Sequence, residues 1–94
     1  MSLVQVSTAP SRAMYEQVAA IMGLEADRPG GLIMHAAAEM PDGEVQIVTV
    51  FDSVDALQAF AEQRLFPAFA AAGVPDEIMA GPPPPAYETF ELIH

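Results

Sequence analysis

"LIMHAAAEMPDGEVQIVTVF", Leu32 to Phe51, decides the fold of this 94-residue chain. Two apolar runs, Leu32 to Met40 and Val45 to Phe51, flank Pro41-Asp42-Gly43-Glu44. Asp-Gly between such runs is a strong short-range signal for a β-hairpin. With Asp42 and Gly43 as the two central turn residues, His35 lies opposite Val50 and Ala37 opposite Val48. In that register Leu32, Met34, Ala36, Val45, Ile47 and Phe51 share one face of the hairpin. Ile33, His35, Ala37, Val48 and Val50 share the other. Neither face is polar enough to meet water.

Outward from the hairpin, Leu3 to Thr8 reads as a short strand with β-branched residues. Thr8 and Ser11, with Pro10, supply helix-start chemistry, because a hydroxyl can accept from the free backbone N–H groups of a first turn. Met14, Val18, Ile21 and Met22 then fall on one helical stripe, and Gly23 closes it. After the hairpin, Asp52 or Ser53 caps a second helix with Asp55 in its favourable first turn. Leu57, Phe60, Ala61, Leu65, Ala68 and Phe69 form its apolar stripe. Pro67 lacks an N–H and should kink or divide this helix near Leu65 and Phe66. "VPDEIMAGPPPPA", from Val74 to Ala86, is a stiff extended connector leading to a last strand, Tyr87 to Ile93.

The order β-α-β-β-α-β is the ferredoxin-like, split βαβ arrangement of the α+β class, a single domain over residues 1–94. It lays both helices on one face of a four-stranded antiparallel sheet and leaves the opposite face bare. Several hundred Å2 of exposed apolar sheet would forgo on the order of 10 kcal/mol of burial, at about 25 cal/mol per Å2. A second copy meeting the first face to face recovers it, so a homodimer is expected. The 52% hydrophobic content of so short a chain points the same way.

Composition also excludes. Thirteen acidic residues stand against three basic ones, Arg12, Arg28 and Arg64, for a net charge of −10. Nothing in that balance can neutralise phosphates, so neither nucleic acid nor an anionic membrane surface is an expected partner. Cys, Lys, Trp and Asn are absent, which removes thiol nucleophiles, disulfides and Schiff-base lysines. No apolar run approaches the about 18 residues of a membrane span, and the N-terminus has no basic signal-peptide head, so a cytoplasmic location is expected. The two histidines and the scattered acids lack metal-ligand spacing, and no metal or other cofactor is expected.

Three stretches carry a family likeness: "MYEQVAAIMGL" (14–24), "PGGLIMHAAAEMPDGEVQIVTVFDSVDALQAFAEQRLFPAF" (29–69) and "YETFELIH" (87–94). The chain resembles the small dimeric α/β-barrel proteins of the antibiotic biosynthesis monooxygenase superfamily. The "GLIMH" strand is telling, as is the "VFDS" junction, where relatives often read V-W-x-S. The resemblance implies a dimeric barrel with a pocket between each sheet and its helices. Some relatives there oxidise an aromatic polyketide with O2, without metal or flavin; others degrade haem. The positions matching the Trp and His of the haem-degrading members hold Phe60 and Ala70, and the Asn used on an early strand is missing. The usual Asn/Trp/His set is therefore absent, which disfavours haem.

His35 is the candidate catalytic base, since a neutral imidazole titrates near working pH and can deprotonate an acidic phenol or enol. A ring hydrogen-bonded within the sheet or at a subunit interface is the competing reading. Tyr15, Phe51, Phe60 and Arg64 are candidate substrate-binding residues, with Arg64 able to orient an anionic group and Tyr15 to place a hydroxyl at a pocket rim. His94, at the terminus, reads as incidental. The expected ligand is small and hydrophobic or aromatic. The function is either cofactor-free oxygenation or isomerisation, or a non-catalytic binding or structural homodimer.

Overall fold

In the computed structural model, which describes residues 2–74 and 84–93, the elements are β1 (Leu3–Ala9), α1 (Arg12–Met22), β2 (Leu32–Glu39), β3 (Val45–Phe51), α2 (Val54–Phe60), a π-helical turn (Ala61–Leu65), α3 (Phe66–Ala72) and β4 (Ala86–Glu88). The sheet order is β2-β3-β1-β4 and every neighbouring pair is antiparallel. This is the ferredoxin-like fold expected from the order of elements. Most of the Pro-rich connector and His94 lie outside the described residues.

The hairpin turns over three residues rather than two. Met40 N–H donates to the Glu44 carbonyl at 2.7 Å and Gly43 N–H to the Met40 carbonyl at 2.9 Å, with Gly43 at φ +89°. Asp42 accepts from Glu44 N–H at 2.9 Å. A three-residue reversal ending in a left-handed glycine is the second commonest hairpin closure, and it moves the register by one residue. His35 therefore lies opposite Thr49 and Ala37 opposite Ile47, correcting the Val50 and Val48 pairings. Met34 and Ala36 join Val48 and Val50 on one face; His35 and Ala37 join Val45, Ile47 and Phe51 on the other. Leu32 stays with Phe51 only because an irregularity between Leu32 and Met34 restores the phase.

The face carrying Phe51 is the one the helices cover. Phe51 is fully buried and packs with Val18, Met22, Phe60 and Ala68. Its ring centroid is 5.3 Å from that of Phe60, tilted by 48°, a favourable aromatic geometry. Ile21, expected on the inner stripe of α1, is 48% exposed. The stripe runs instead through Val18 and Met22, and extending it one turn towards the N-terminus brings in half-buried Tyr15. The opposite face presents Val4, Val6, Met34, Ala36, Val48 and Tyr87, and among the described residues no helix lies over it.

Both helix starts follow the hydroxyl rule: Ser11 accepts from Met14 N–H at 3.2 Å and Ser53 from Ala56 N–H at 3.1 Å. The second helical segment divides near Leu65 and Phe66, as Pro67 predicts: α2 gives way to the π-helical turn, and α3 starts at Phe66 with Pro67 in its first turn. The turn before it widens, so that Phe66 N–H reaches back five residues to the Ala61 carbonyl, and α3 continues from there. Widening accommodates the ring that would otherwise press on the preceding carbonyl. The last strand is shorter than Tyr87 to Ile93. It pairs with β1 from Gln5 to Leu3, and Thr89 N–H still reaches Ser2 at 3.0 Å. Beyond Glu88 no further ladder pair with β1 forms among the described residues, and Phe90 and Ile93 stand exposed.

Two glycines separate conformational strain from steric strain. At Gly43 a Cβ would meet nothing within 4 Å, whereas at Gly31, φ +82°, it would fall 2.4 Å from Ala56 Cβ and 2.7 Å from Asp52 Oδ1. Gly43→Ala should cost about 1–2 kcal/mol, from the left-handed backbone alone. Gly31→Ala should cost clearly more in the same urea titration; equal losses would contradict the close approach of Gly31 to α2.

Candidate functional site

The corrected register builds a polar row into the covered face of the sheet. Gln5 of β1, Thr49 of β3 and His35 of β2 are lateral neighbours across three strands. Thr49 is buried at 5% exposure, and His35 Nδ1 lies 3.1 Å from its hydroxyl. Above them, the first turn of α1 brings in Tyr15, held in the helix by its N–H to the Ser11 carbonyl at 3.1 Å. Tyr15 Oη lies 2.8 Å from His35 Nε2. The two rings are 11° from parallel with centroids 6.3 Å apart, a separation that fits rings joined edge to edge by a hydrogen bond rather than stacked on their faces. Both imidazole nitrogens are thus partnered.

Burial shapes the chemistry of this pair. Desolvation lowers the pKa of His35 from its ordinary 6.5, so the ring is neutral at neutral pH. The same cause raises Tyr15 above its ordinary 10.0 and keeps the phenol protonated. Both shifts keep the pair in its neutral form, a phenol hydroxyl in hydrogen-bond contact with a neutral imidazole.

Tyr15 forms part of the wall of a cleft of about 250 Å3 between α1 and the hairpin end of the sheet. Ala37, Val45, Arg12, Glu16 and Glu39 complete most of it. His35 itself does not line this cleft; Tyr15 stands between. At the rim Arg12 Nε donates to Glu16 at 2.9 Å, and a terminal nitrogen lies 3.8 Å from Glu39. The Glu16 hydrogen bond and charge, then the Glu39 charge, hold the guanidinium above its ordinary pKa. These groups are exposed, so the pairs add little to stability.

The other expected substrate-binding residues sit elsewhere. Phe51 and Phe60 fill the core against each other. Arg64 donates to the carbonyls of Met22 at 2.6 Å and Asp27 at 2.8 Å, with the Asp27 carboxylate at 3.6 Å. It caps the end of α1 and ties the following loop to the π-helical turn. A second cleft of about 200 Å3 adjoins Arg64, Phe60, Gln63 and Arg28. Of the five candidates, the fold brings Tyr15 and His35 together and gathers Phe51, Phe60 and Arg64 at the other end of α1. Thr49 was missed. Its signal lies in "VQIVTVF", where it is the one polar residue in phase with Phe51, but the two-residue turn places it across from Ala36.

No protein-family model matches the chain, and none of the curated proteins does. Solved structures do match, two of them over nearly all of it. A candidate antibiotic biosynthesis monooxygenase from Deinococcus radiodurans aligns with a TM-score of 0.60 and 17% identity, over 100% of this chain and 97% of the other. Another, from Chloroflexus aurantiacus J-10-fl, aligns with a TM-score of 0.54 and 18% identity, over 99% and 93%. The chain therefore has the fold of antibiotic-biosynthesis-monooxygenase-like proteins. At such identities the likeness speaks for the fold alone.

The depressed pKa of His35 has a consequence for stability. In mildly acidic solution the unfolded chain binds a proton that folded His35 resists, so stability rises with pH there. It is complete above pH 6.5 and declines as pH falls towards and through the lower folded value. Thermal melts from about pH 7.5 to 5 should record that decline in the wild type and a shallower one in His35→Gln. Parallel curves would mean that His35 is not held neutral by the fold.

Proposed function

We propose that this chain forms a homodimer whose subunits each bind a small, single-ring aromatic or enolisable molecule in the cleft beside Tyr15, and move a proton on it without a cofactor. The observation that carries this reading is the Tyr15–His35 hydrogen bond at the cleft wall. Tyr15 is the residue that touches the ligand, and His35 acts through it. A substrate hydroxyl gives its proton to Tyr15 Oη while the Tyr15 proton passes to His35 Nε2. The products of that step are a substrate anion and an imidazolium.

The anion has two fates. Returning the proton to a carbon gives an isomer. Alternatively, a methylene activated by the anion reacts with O2, one oxygen atom ending in a new carbonyl and the other leaving as water with the two methylene hydrogens. Cleft size supports a single ring, because about 250 Å3 falls below the roughly 300–1,000 Å3 of sites that hold drug-sized ligands. A second reading, a binding dimer without turnover, is supported by the full internal partnering of the imidazole.

Dimerisation is supported by the uncovered apolar face, where Val6 is 46% and Tyr87 66% exposed. In sedimentation the wild type should run at twice its 10.0 kDa mass. Val48→Glu, at the centre of that face, should shift it to the monomer; a wild type that stays monomeric at micromolar concentration refutes the dimer.

A panel of small phenols and enols, followed by thermal shift, tests the ligand. Hits should be weakened roughly ten-fold by Tyr15→Phe, the effect of one lost hydrogen bond. Oxygen uptake or solvent deuterium incorporation with a hit should fall much further in His35→Gln than binding does. Binding that persists with neither turnover signal selects the second reading, and a panel without hits removes both.

A further inference from the structure

Thr49 offers His35 a partner of a particular kind. A neutral imidazole has one N–H and one bare nitrogen, so its contacts to Thr49 at 3.1 Å and Tyr15 at 2.8 Å must have opposite polarity. When Nδ1–H donates to Thr49, Nε2 accepts the Tyr15 hydrogen, and Tyr15 turns a lone pair to the cleft. When the Thr49 hydroxyl donates to Nδ1, Nε2–H donates to Tyr15, whose own hydrogen turns to the cleft. A carbonyl or carboxylate in place of Thr49 only accepts and would permit the first state alone. A hydroxyl permits both. Thr49 is buried between its strand neighbours, and among the described residues His35 is its side chain's one hydrogen-bonding partner.

We propose that Thr49 is a positioning residue that keeps both imidazole tautomers of His35 within reach, so that Tyr15 meets a ligand oxygen either as acceptor or as donor. The inference rests on the proton-transfer reading above and narrows its substrate class. A site that accepts from a hydroxyl and donates to a carbonyl with one phenol suits a molecule whose single oxygen alternates between the two, a small ketone and its enol. In the enol-to-ketone direction, the O–H bond breaks and its proton goes to Tyr15, as the Tyr15 proton goes to Nε2. The electron pair remains on the enolate, whose carbon takes a proton from solvent as the C=O forms. His35 then returns its extra proton to solvent through Tyr15, with no oxidant or reductant consumed.

Nitrogen-15 NMR of the two ring nitrogens of His35 tests the tautomers without any ligand. In the wild type and in Thr49→Ser both shifts should lie between those of a protonated and a bare nitrogen. In Thr49→Val the ring should settle with its proton on Nε2, because Nδ1 has then lost its partner. Should Thr49→Val not fold, Thr49→Ala serves the same purpose. A single tautomer in the wild type, or unchanged shifts on loss of the hydroxyl, overturns the proposal. p-Cresol and 4-methylcyclohexanone, titrated separately, probe the two binding modes. The wild type should take both, and Thr49→Val should hold the ketone, which only accepts, within about two-fold while p-cresol, left with only its weaker acceptor role towards Tyr15, binds measurably more weakly. Equal losses overturn the proposal. If neither probe perturbs Tyr15 or His35, the proton-transfer reading and the substrate class fall, whatever the nitrogen shifts report of the tautomers.

Discussion

Gly43 lets the hairpin reverse over three residues, and that one additional residue decides which side chains face the helices. A strand alternates strictly, so a slip of one position exchanges a whole face for the other. With the glycine bulge in place, Thr49 and His35 lie beside Phe51 on the helix-covered face, and Val48 and Val50 lie on the opposite face, Val50 buried there beneath its neighbours. Tyr15 then has an imidazole to meet. Had the turn closed over Asp42 and Gly43 alone, His35 would sit opposite Val50, away from Thr49.

That register divides the covered face into two regions. Near the α1 C-terminus, Phe51, Phe60, Val18 and Met22 make a dry core whose burial supplies most of the cohesion between helices and sheet. Two residues along the strand the same face becomes polar, and the helix above it carries a phenol rather than an aliphatic side chain. Buried polar groups are tolerated only when partnered. Among the described residues no buried side-chain nitrogen or oxygen lacks a partner. The dry end joins helices to sheet, the polar end holds the Tyr15–His35–Thr49 hydrogen bonds, and α1 spans both.

Much of this was legible in the chain itself. Hydroxyls before apolar stripes announced both helix starts, and the order of elements gave the topology. What escaped depended on geometry that no local pattern encodes. Asp-Gly signals a reversal, yet whether it spans two or three residues depends on backbone angles. Thr49 became a partner for His35 only once that was settled. The end of β4 was misjudged because the strand stops where its pairing with β1 stops, at Leu3 and Glu88, a tertiary limit that the β-propensity of "YETFELI" does not carry. Tyr15 and His35 were singled out separately; their meeting is a tertiary fact. Phe51, Phe60 and Arg64 drew notice as large or charged residues, and their places follow from core filling and helix capping.

The two borders of the sheet are each partly blunted against sideways growth. At one, the Arg28 guanidinium occupies the carbonyls of Leu32 and Ile33, where the strand is already irregular. At the other, only three residues form a strand, and the chain departs as soon as its partner ends. An unprotected border of backbone donors and acceptors invites fibrous stacking of further strands. In the homodimer proposed above, the apolar layer would instead meet its copy flat against flat, a mode that stops at two copies rather than propagating.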